Sequence, residues 1–219
     1  AETYFGPDGY GANAQSNHAA HNLGTRGRTL HAANGLLMTD SLQTARLRLI
    51  SRTQKKMGHL VGNLGVDAID ELGAVPADLL HADALRKTYG RALRYGLDPT
   101  RYMQPQEAWG RMAAKILCGD FLQLPPVPAR ASLLADPSKQ SYEHQQGHKL
   151  FQDVEYVVDF VEMKRFDDDN LIEILQAMRT PGGKLISEQA WQALQATVIK
   201  TGAPQPGLQN AGAHQPSDD

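Results

Sequence analysis

The sequence predicts an α/β fold in which helices flank a parallel sheet. Predicted strands alternate with predicted helices along the chain, an order typical of parallel sheets. Two of the predicted strands end in acidic residues, at the point where ligands bind in open α/β sheets. The chain has 219 residues, of which 41% are hydrophobic and 21% charged. This length allows one large domain, or a domain with an appendage, around a sizeable core.

The composition excludes several classes of protein. The formal net charge is −2, so there is no global basic field and a nucleic-acid partner must meet a local patch. Cys118 is the single cysteine, which excludes an internal disulfide and a cysteine-based zinc site and fits a reducing compartment. No apolar run reaches the roughly 18 residues that a membrane span needs. We therefore expect a soluble, intracellular protein without a membrane partner.

The first half of the chain predicts a loop, two helical stretches and a strand. Residues 1–15 are rich in glycine and small residues and predict a loop. Residues 16–37 predict a short helix and a turn punctuated by glycine. A helix is predicted over 42–61, where apolar residues recur at helical spacing after possible N-cap oxygens. Residues 64–73 predict a short strand.

The second half of the chain continues the alternation. Residues 76–93 predict a helix with proline in its first turn, and 110–120 predict a second strand. A third strand is predicted within 153–166, where Val154, Tyr156 and Val158 alternate with polar residues. Residues 167–183 predict a helix with an acidic start and a Pro-Gly-Gly stop. Residues 201–219 have little to bury and predict a disordered tail.

Acidic residues stand at the ends of two predicted strands. Asp70 and Glu71 end the first strand, and Asp120 follows the second. If these strands are neighbours, three carboxylates and Gln123 face one crevice. There Asp70 could hold a hydrated Mg²⁺ and Glu71 could polarise an attacking water, as phosphoryl transfer requires. The Gln123 amide could donate to a γ-phosphate and accept from water. An Asp-Glu pair also occurs on solvated helix starts, so the pair alone does not identify a catalytic site.

The segment GDFLQLPPV, residues 119–127, resembles the third motif of the Pif/RecD-like superfamily-one DNA helicases. That motif has the form Gly-Asp-x-x-Gln-Leu-Pro-Pro-Val, and the resemblance extends over much of residues 14–195. Residues 14–36 resemble the DNA-contacting motif of the family and its Thr-x-His segment. VDAIDELGAV resembles the Walker B strand. VEMKRF, residues 161–166, resembles the motif that brings an arginine to the nucleotide.

The resemblance implies a RecA-like P-loop NTPase fold that uses Mg²⁺ and ATP and acts on single-stranded DNA. Residues 16–200 would form part of the first motor domain, with 201–219 as the disordered tail. Asp120 would support the nucleotide site. The implied catalytic residues are Asp70, which is also the metal ligand, Glu71, Gln123 and Arg165. The implied DNA-contacting residues are Ser16, Asn17, Arg28, Thr29 and His31.

Three of these residues have a second interpretation from the sequence alone. His31 could make a structural hydrogen bond instead of a DNA contact. Arg28 could lie in a solvated loop, although it could also meet phosphates. Arg165 could form a surface salt bridge with the acidic run at 167–169.

The chain departs from the family pattern at the Walker A loop, Gly-x-x-x-x-Gly-Lys-Ser/Thr. The nearest match is GPDGYGAN, which would make Gly6, Gly9 and Gly11 the phosphate-binding glycines. Ala12 stands where lysine belongs and Asn13 where serine or threonine belongs. This is either a decayed loop or a coincidence of glycines, with the true loop outside the chain.

Two functions follow from the resemblance and its gaps. The first is an ATP-dependent DNA helicase domain that couples Mg-ATP hydrolysis to translocation and unwinding. Because the second motor domain has no room after residue 200, we expect such a domain to be inactive alone. The alternative is a catalytically dead pseudo-helicase that retains the fold or weak DNA binding. The family also implies DNA repair, recombination or telomere maintenance, in the nucleus or the mitochondrion.

Overall fold

The protein, seen in a computed structural model, forms two compact units. Unit one comprises Ala1–Val157 and unit two comprises Val158–Asp219. The structure describes residues 6, 8–36, 57–98, 105–127, 129–160, 166–180 and 182–197. Among these residues, no helix is both long enough and apolar enough to cross a membrane.

A parallel sheet of four strands lies at the centre of unit one. The strands are β1 (Tyr10–Ala14), β2 (Arg28–Thr29), β3 (Val66–Asp70) and β4 (Ala114–Leu117). Their order across the sheet is β2-β1-β3-β4, and every pairing is parallel. This confirms the predicted α/β class. It also makes the two acid-ended strands, β3 and β4, neighbours.

The prediction of a loop over residues 1–15 is wrong for Tyr10–Ala14, which form β1. This strand pairs with β3 from Tyr10 opposite Val66 to Ala14 opposite Asp70. A Cβ atom on Gly11 would lie 2.3 Å from Asp67 Oδ1, so a close contact within the sheet requires this glycine. The small residues of this segment therefore reflect crowding on the sheet and not a loop.

Helices cover the sheet and confirm most of the predicted ones. In unit one they include α1 (Asn17–Asn22), α2 (Leu30–Ala33), α3 (Ala77–Arg94) and α4 (Tyr142–Gln152). Of the helix predicted over 42–61, residues 57–61 are helical and the others lie outside the described residues. Short 3₁₀ turns lie at Leu72–Ala74, Pro105–Gly110, Ala129–Ala131 and Pro137–Lys139.

Helix α3 packs closely against α4 at Gly147. A Cβ atom on Gly147 would lie 1.7 Å from the Ala77 carbonyl oxygen, so a larger residue would push the two helices apart. The apolar core formed around β3 and α3 contains Leu30, Leu36, Ile69, Leu72, Val75, Leu79, Leu80 and Leu133. This core holds the carboxyl end of β3 in place.

A network of four charged side chains is buried between the sheet and α3. Lys87 Nζ donates to Asp67 and to Asp83, the latter at 2.6 Å. Lys115 Nζ donates to the same two carboxylates, at 2.7 Å to Asp83 Oδ2. Asn13 Nδ2 donates to Asp67 Oδ1 at 2.7 Å. Both aspartates and Lys87 are fully buried, so each charge depends on its partners for the solvation that water no longer provides.

The pKa values of Asp83 and Lys87 are set by burial and by the opposite charges beside them. Burial raises the pKa of Asp83, but the two lysines outweigh burial and hold it well below its usual range. Burial lowers the pKa of Lys87, but Asp83 and Asp67 outweigh burial and raise it above its usual range. Burial lowers the pKa of Lys115, and the charges of Asp83 and Asp67 oppose this shift without reversing it. Asp83 and Lys87 are therefore ionised at neutral pH, and removal of either would leave an uncompensated buried charge.

The strand predicted within 153–166 is wrong for its described part, residues 153–160. These residues pair with none of β1 to β4 and have no regular secondary structure. Tyr156 and Val158 are 85% and 73% exposed. Alternation of apolar and polar residues indicates a strand only where a neighbouring strand supplies hydrogen bonds, and no described strand does so here.

Unit two contains α5 (Asp169–Arg179) and α6 (Glu188–Thr197). The acidic start predicted for 167–183 is confirmed, because the Asp168 carboxylate accepts from the amides of Asn170 and Leu171. Ser187 donates through its amide and its hydroxyl to the Glu173 carboxylate, at 2.6 and 2.8 Å. These bonds join the start of α6 to α5 and lower the pKa of Glu173. Arg165 and the tail predicted over 201–219 lie outside the described residues.

His148 is a buried titratable group in α4. His148 is only 3% exposed, and its Nε2 atom is buried without a hydrogen-bond partner among the described residues. Burial, and then the neighbouring His144, lower the pKa of His148, while a backbone hydrogen bond to Leu133 and the charge of Asp136 oppose this shift. The neutral imidazole is therefore the form that fits the fold.

Replacement of Lys87 by methionine should lower the free energy of unfolding by about 3–5 kcal/mol, because Asp67 and Asp83 lose a buried partner. Urea denaturation at neutral pH measures this change. Lys149→Met is the matched control, since Lys149 is exposed on α4 and should change stability by less than about 0.5 kcal/mol. Equal effects of the two substitutions would contradict the role given to the network.

Acidification should destabilise unit one through His148. Its pKa is lower in the folded protein than in the unfolded chain, where it is about 6.5, so the unfolded chain binds the proton more tightly. The contribution of neutral His148 is therefore complete above that value and is lost as the pH falls below it. Urea midpoints measured from pH 7.5 to 5.5 should fall less steeply in His148→Gln than in the parent. His18→Gln, at an exposed position, should keep the parental slope.

Candidate active site at the carboxyl edge of the sheet

The carboxyl ends of β1, β3 and β4 surround one cavity of about 690 Å³. The segments that follow all three strands contribute to its wall. Of the four side chains expected to face one crevice, Glu71, Asp120 and Gln123 line this cavity, whereas Asp70 is not among the lining residues. The lining residues are Ser16, Glu71, Gly73, Ala74, Asp120, Leu122, Gln123, Leu124 and Pro125.

Glu71 occupies a strained backbone conformation directly after β3. Its φ and ψ angles are 56° and 40°, in the left-handed region that costs a non-glycine residue about 1–2 kcal/mol. The next amide, that of Leu72, donates to the Cys118 carbonyl at 2.9 Å. The cost is met by the surrounding packing, and such strain is common where a side chain must reach a site.

Two glycines let the ends of β3 and β4 approach each other closely. A Cβ atom on Gly73 would lie 2.6 Å from the Asp120 carbonyl oxygen. A Cβ atom on Gly119 would lie 2.6 Å from the Leu72 amide nitrogen. Because backbone meets backbone here, Glu71 and Asp120 come to face the same cavity.

Asp70 ends β3 beside Glu71 and fits the role of a magnesium ligand. Its Oδ1 accepts from the Glu71 amide at 2.9 Å, while Oδ2 accepts no hydrogen bond from the described residues. Within the same residues, no three His, Cys, Asp or Glu side chains are placed to hold a metal ion. Mg²⁺ commonly takes one or two carboxylates and completes its shell with water and phosphate oxygens, so a single free carboxylate oxygen is compatible with it.

Asp120 orients Gln123. Asp120 Oδ1 accepts from the Leu122 amide at 3.0 Å, and Oδ2 accepts from Gln123 Nε2 at 3.4 Å. The Gln123 backbone amide also donates to the Asp120 carbonyl at 3.2 Å. Of the two prolines that follow, Pro125 lines the cavity and Pro126 is buried. The chain is therefore held before Gln123 by Asp120 and after it by Pro126, while the Gln123 side chain stays exposed.

Ser16 makes a contact that the sequence did not predict. Its hydroxyl donates to Glu71 Oε2 at 3.0 Å and accepts from the Ala19 amide at 3.1 Å, as the N-cap of α1. The register that sets Ala14 opposite Asp70 brings Ser16 beside Glu71. The contact depends on the register of β1 against β3, which the sequence pattern of neither strand encodes.

The other candidate DNA-contacting residues do not all lie at this cavity. Asn17 is exposed at the start of α1, next to Ser16. Thr29 Oγ1 accepts from the Ala32 amide at 3.2 Å as the N-cap of α2, and His31 is half-buried in that helix. Arg28 is exposed and lines a separate cavity of about 360 Å³.

The assignment of Gly6, Gly9 and Gly11 as phosphate-binding glycines is wrong. The Gly9 carbonyl accepts from the amides of Gly65 and Val66, at 2.7 and 3.1 Å, at the amino end of β3. The four-residue rise from there to Asp70 is about 13 Å. A phosphate loop that serves Glu71 must follow the carboxyl end of a strand, whereas Gly6 and Gly9 precede β1 and Gly11 lies within it. The glycine pattern is a coincidence.

Comparisons with known proteins agree with this geometry. No protein-family profile matches the chain. The ATP-dependent DNA helicase PIF1 of Homo sapiens is 30% identical over 191 residues, which are 87% of this chain and 26% of that protein. The PIF1 helicase of Mus musculus is 31% identical over 173 residues, or 79% of this chain and 23% of that protein. The chain belongs to the Pif1-like family of superfamily-one helicases. It spans about a quarter of the length of these curated relatives.

Solved Pif1 structures confirm the RecA-like P-loop NTPase fold. The Pif1 helicase of Candida albicans superposes with a TM-score of 0.56 at 21% identity, over 93% of this chain and 40% of that one. Bacteroides Pif1 bound to single-stranded DNA superposes with a TM-score of 0.50 at 17% identity, over 86% of this chain and 40% of that one. The Pif1-like chain is thus a helicase-like domain with the predicted architecture.

The strain at Glu71 predicts an unusual order of stabilities. Glu71→Gly should be more stable than Glu71→Ala by about 1 kcal/mol, because both remove the carboxylate and only glycine relieves the positive φ. At the exposed helical position Lys149 the order should reverse, with alanine about 1 kcal/mol more stable than glycine. Urea denaturation of the four variants tests this. The same order at both positions would show that the Glu71 backbone is unstrained.

Proposed function

We propose that this Pif1-like domain forms the water-activating side of an ATP-dependent DNA helicase motor. The observation that carries the proposal is the convergence of three strand ends on one cavity, with Glu71 and Gln123 in its wall. Phosphoryl transfer needs positioned polar groups and charge neutralisation more than covalent chemistry from the protein. The cavity supplies the positioned groups.

Each side chain of the site has a distinct role in this proposal. Glu71 accepts a hydrogen bond from the attacking water and polarises it. Gln123, oriented by Asp120, donates its amide to the γ-phosphate. Asp70 holds Mg²⁺, which neutralises the charge that develops on the phosphate oxygens. Arg165 is the arginine that the family resemblance brings to the nucleotide.

Among the described residues, no positive side chain for the phosphates lines the cavity. The lining residues include no lysine or arginine, and no Gly-x-x-x-x-Gly-Lys-Ser/Thr motif occurs in the sequence. β4 is the edge of the described sheet, and Ile116 on its outer face is 47% exposed. Parallel sheets are normally covered on both faces, so β4 is the place where a phosphate-binding strand and helix would complete the site. The chain alone is therefore not expected to hydrolyse ATP.

Single-stranded DNA is the proposed nucleic-acid partner. Relatives of similar fold include a Pif1 bound to single-stranded DNA. In this chain Ser16 and Asn17 are exposed at the start of α1, beside the cavity. Because the net charge is −2, binding would depend on such local contacts and weaken steeply with salt.

A pseudo-helicase that binds DNA without hydrolysis is the second candidate. The absence of the Walker A lysine favours it. Nuclear or mitochondrial location, and roles in DNA repair, recombination or telomere maintenance, are further proposals that derive from the family alone.

Two assays on the full chain test what both candidate functions require, namely DNA binding and no ATP hydrolysis by the chain alone. Fluorescence anisotropy with a labelled oligo-dT at low salt should show binding, with a Kd on the order of 10⁻⁵ M that rises with salt. Mg-ATP hydrolysis should stay at background with and without DNA. Glu71→Gln should leave binding intact, as should the exposed control Glu155→Gln.

The possible contrary results have separate meanings. Failure to bind oligo-dT would refute the DNA-binding role. DNA-stimulated hydrolysis that is lost in Glu71→Gln but kept in Glu155→Gln would show that the chain is a complete ATPase. It would also refute the pseudo-helicase.

A further inference from the structure

The Ser16 hydroxyl joins the segment beside the proposed DNA path to the water-activating carboxylate. It donates its single proton to Glu71 Oε2 at 3.0 Å. One of its lone pairs accepts from the Ala19 amide and caps α1. Ser16 and Glu71 lie 55 residues apart in sequence, so only the pairing of β1 with β3 brings them together.

The backbone on both sides of the contact has little freedom, so the movements open to it are rotations of the Ser16 hydroxyl and of the Glu71 side chain. β1 and β3 are paired along their whole length, ending at Ala14 and Asp70. Glu71 is held by its left-handed backbone and by the Leu72 amide bond to Cys118. The proton of Ser16 can therefore change partners without movement of the strands, while the oxygen continues to cap α1.

A hydroxyl has one proton, and this limits what Ser16 can do at one time. When it donates to Glu71, it cannot donate to a phosphate oxygen. When it donates to a phosphate, Glu71 Oε2 loses its hydrogen bond and becomes available to a water molecule in the cavity. The two acceptors compete for the same proton.

We propose that Ser16 is a positioning residue that holds Glu71 when no nucleic acid is bound and releases it when a single-stranded DNA phosphate takes its proton. The proposal rests on the proposed function, because it assigns Ser16 a DNA contact. It makes the readiness of Glu71 to polarise water depend on DNA. It requires no domain movement.

The test compares two substitutions at Ser16 in the full chain. Ser16→Gly removes the hydroxyl but keeps a residue that is tolerated at an N-cap, so α1 should persist. Ser16→Thr retains both the donor and the cap. Circular dichroism and urea denaturation check that both variants fold like the parent.

The readout is the side-chain carboxyl ¹³C resonance of Glu71, assigned by its loss in Glu71→Gln. Addition of oligo-dT to the parent should shift this resonance to the position that it has in DNA-free Ser16→Gly. Ser16→Gly loses one phosphate contact and should bind oligo-dT more weakly, so oligo-dT is added until anisotropy shows saturation, and the Glu71 resonance should then not shift. Ser16→Thr should behave like the parent, which shows that the hydroxyl, and not the general field of the DNA, is responsible.

The outcomes separate this inference from the proposed function. If oligo-dT binds by anisotropy and the Glu71 resonance of the parent does not move, Ser16 does not release Glu71, although DNA binding stands. An equal shift in the parent and in Ser16→Gly also overturns the inference. If oligo-dT does not bind, both the DNA-binding function and the release step are refuted.

Discussion

The buried pairing of Lys87 and Lys115 with Asp67 and Asp83 is the interaction on which the rest of the fold depends. It joins β3 and β4 to α3, and Asn13 extends it to β1. Because each carboxylate accepts from both lysines, a shift of β3 or β4 by one residue would leave a buried charge unpaired. The network therefore stabilises one register of the sheet over its alternatives. That register sets the carboxyl ends of three strands side by side.

The site uses the rigidity that this register provides. Glu71 occupies a left-handed conformation, and the strand exits meet at Gly73 and Gly119 with no room for a side chain. A loosely held sheet would relax these contacts and move Glu71 away from Asp120. Stability in the buried layer thus offsets strain at the edge, as is common where a fold supports chemistry. The function proposed for the edge thus depends on buried charges that do not line its cavity.

The parts of the site that could be predicted from sequence are those with a local signature. Asp70, Glu71 and Asp120 follow apolar runs, and parallel strands place their carboxyl ends at one edge. β1 was missed because Gly11, which the close contact with Asp67 requires, stands among small residues that together look like a loop. The strand predicted within 153–166 was wrong over 153–160 because alternation does not reveal whether a neighbouring strand is present. The Ser16 contact with Glu71 was missed because it depends on the register of two strands, which no local pattern encodes.

In the proposed mechanism, the same register explains why DNA binding and hydrolysis would share one hydroxyl. Because these strands are fixed in place, DNA binding cannot affect Glu71 by sliding one strand along another. The proposed coupling therefore uses side-chain groups that can still rotate. Ser16 is such a group, since its oxygen is held by the Ala19 amide and its proton is free to choose an acceptor. A larger moving element would disturb the contacts that position Glu71. A single rotating proton changes the availability of the carboxylate and leaves those contacts intact.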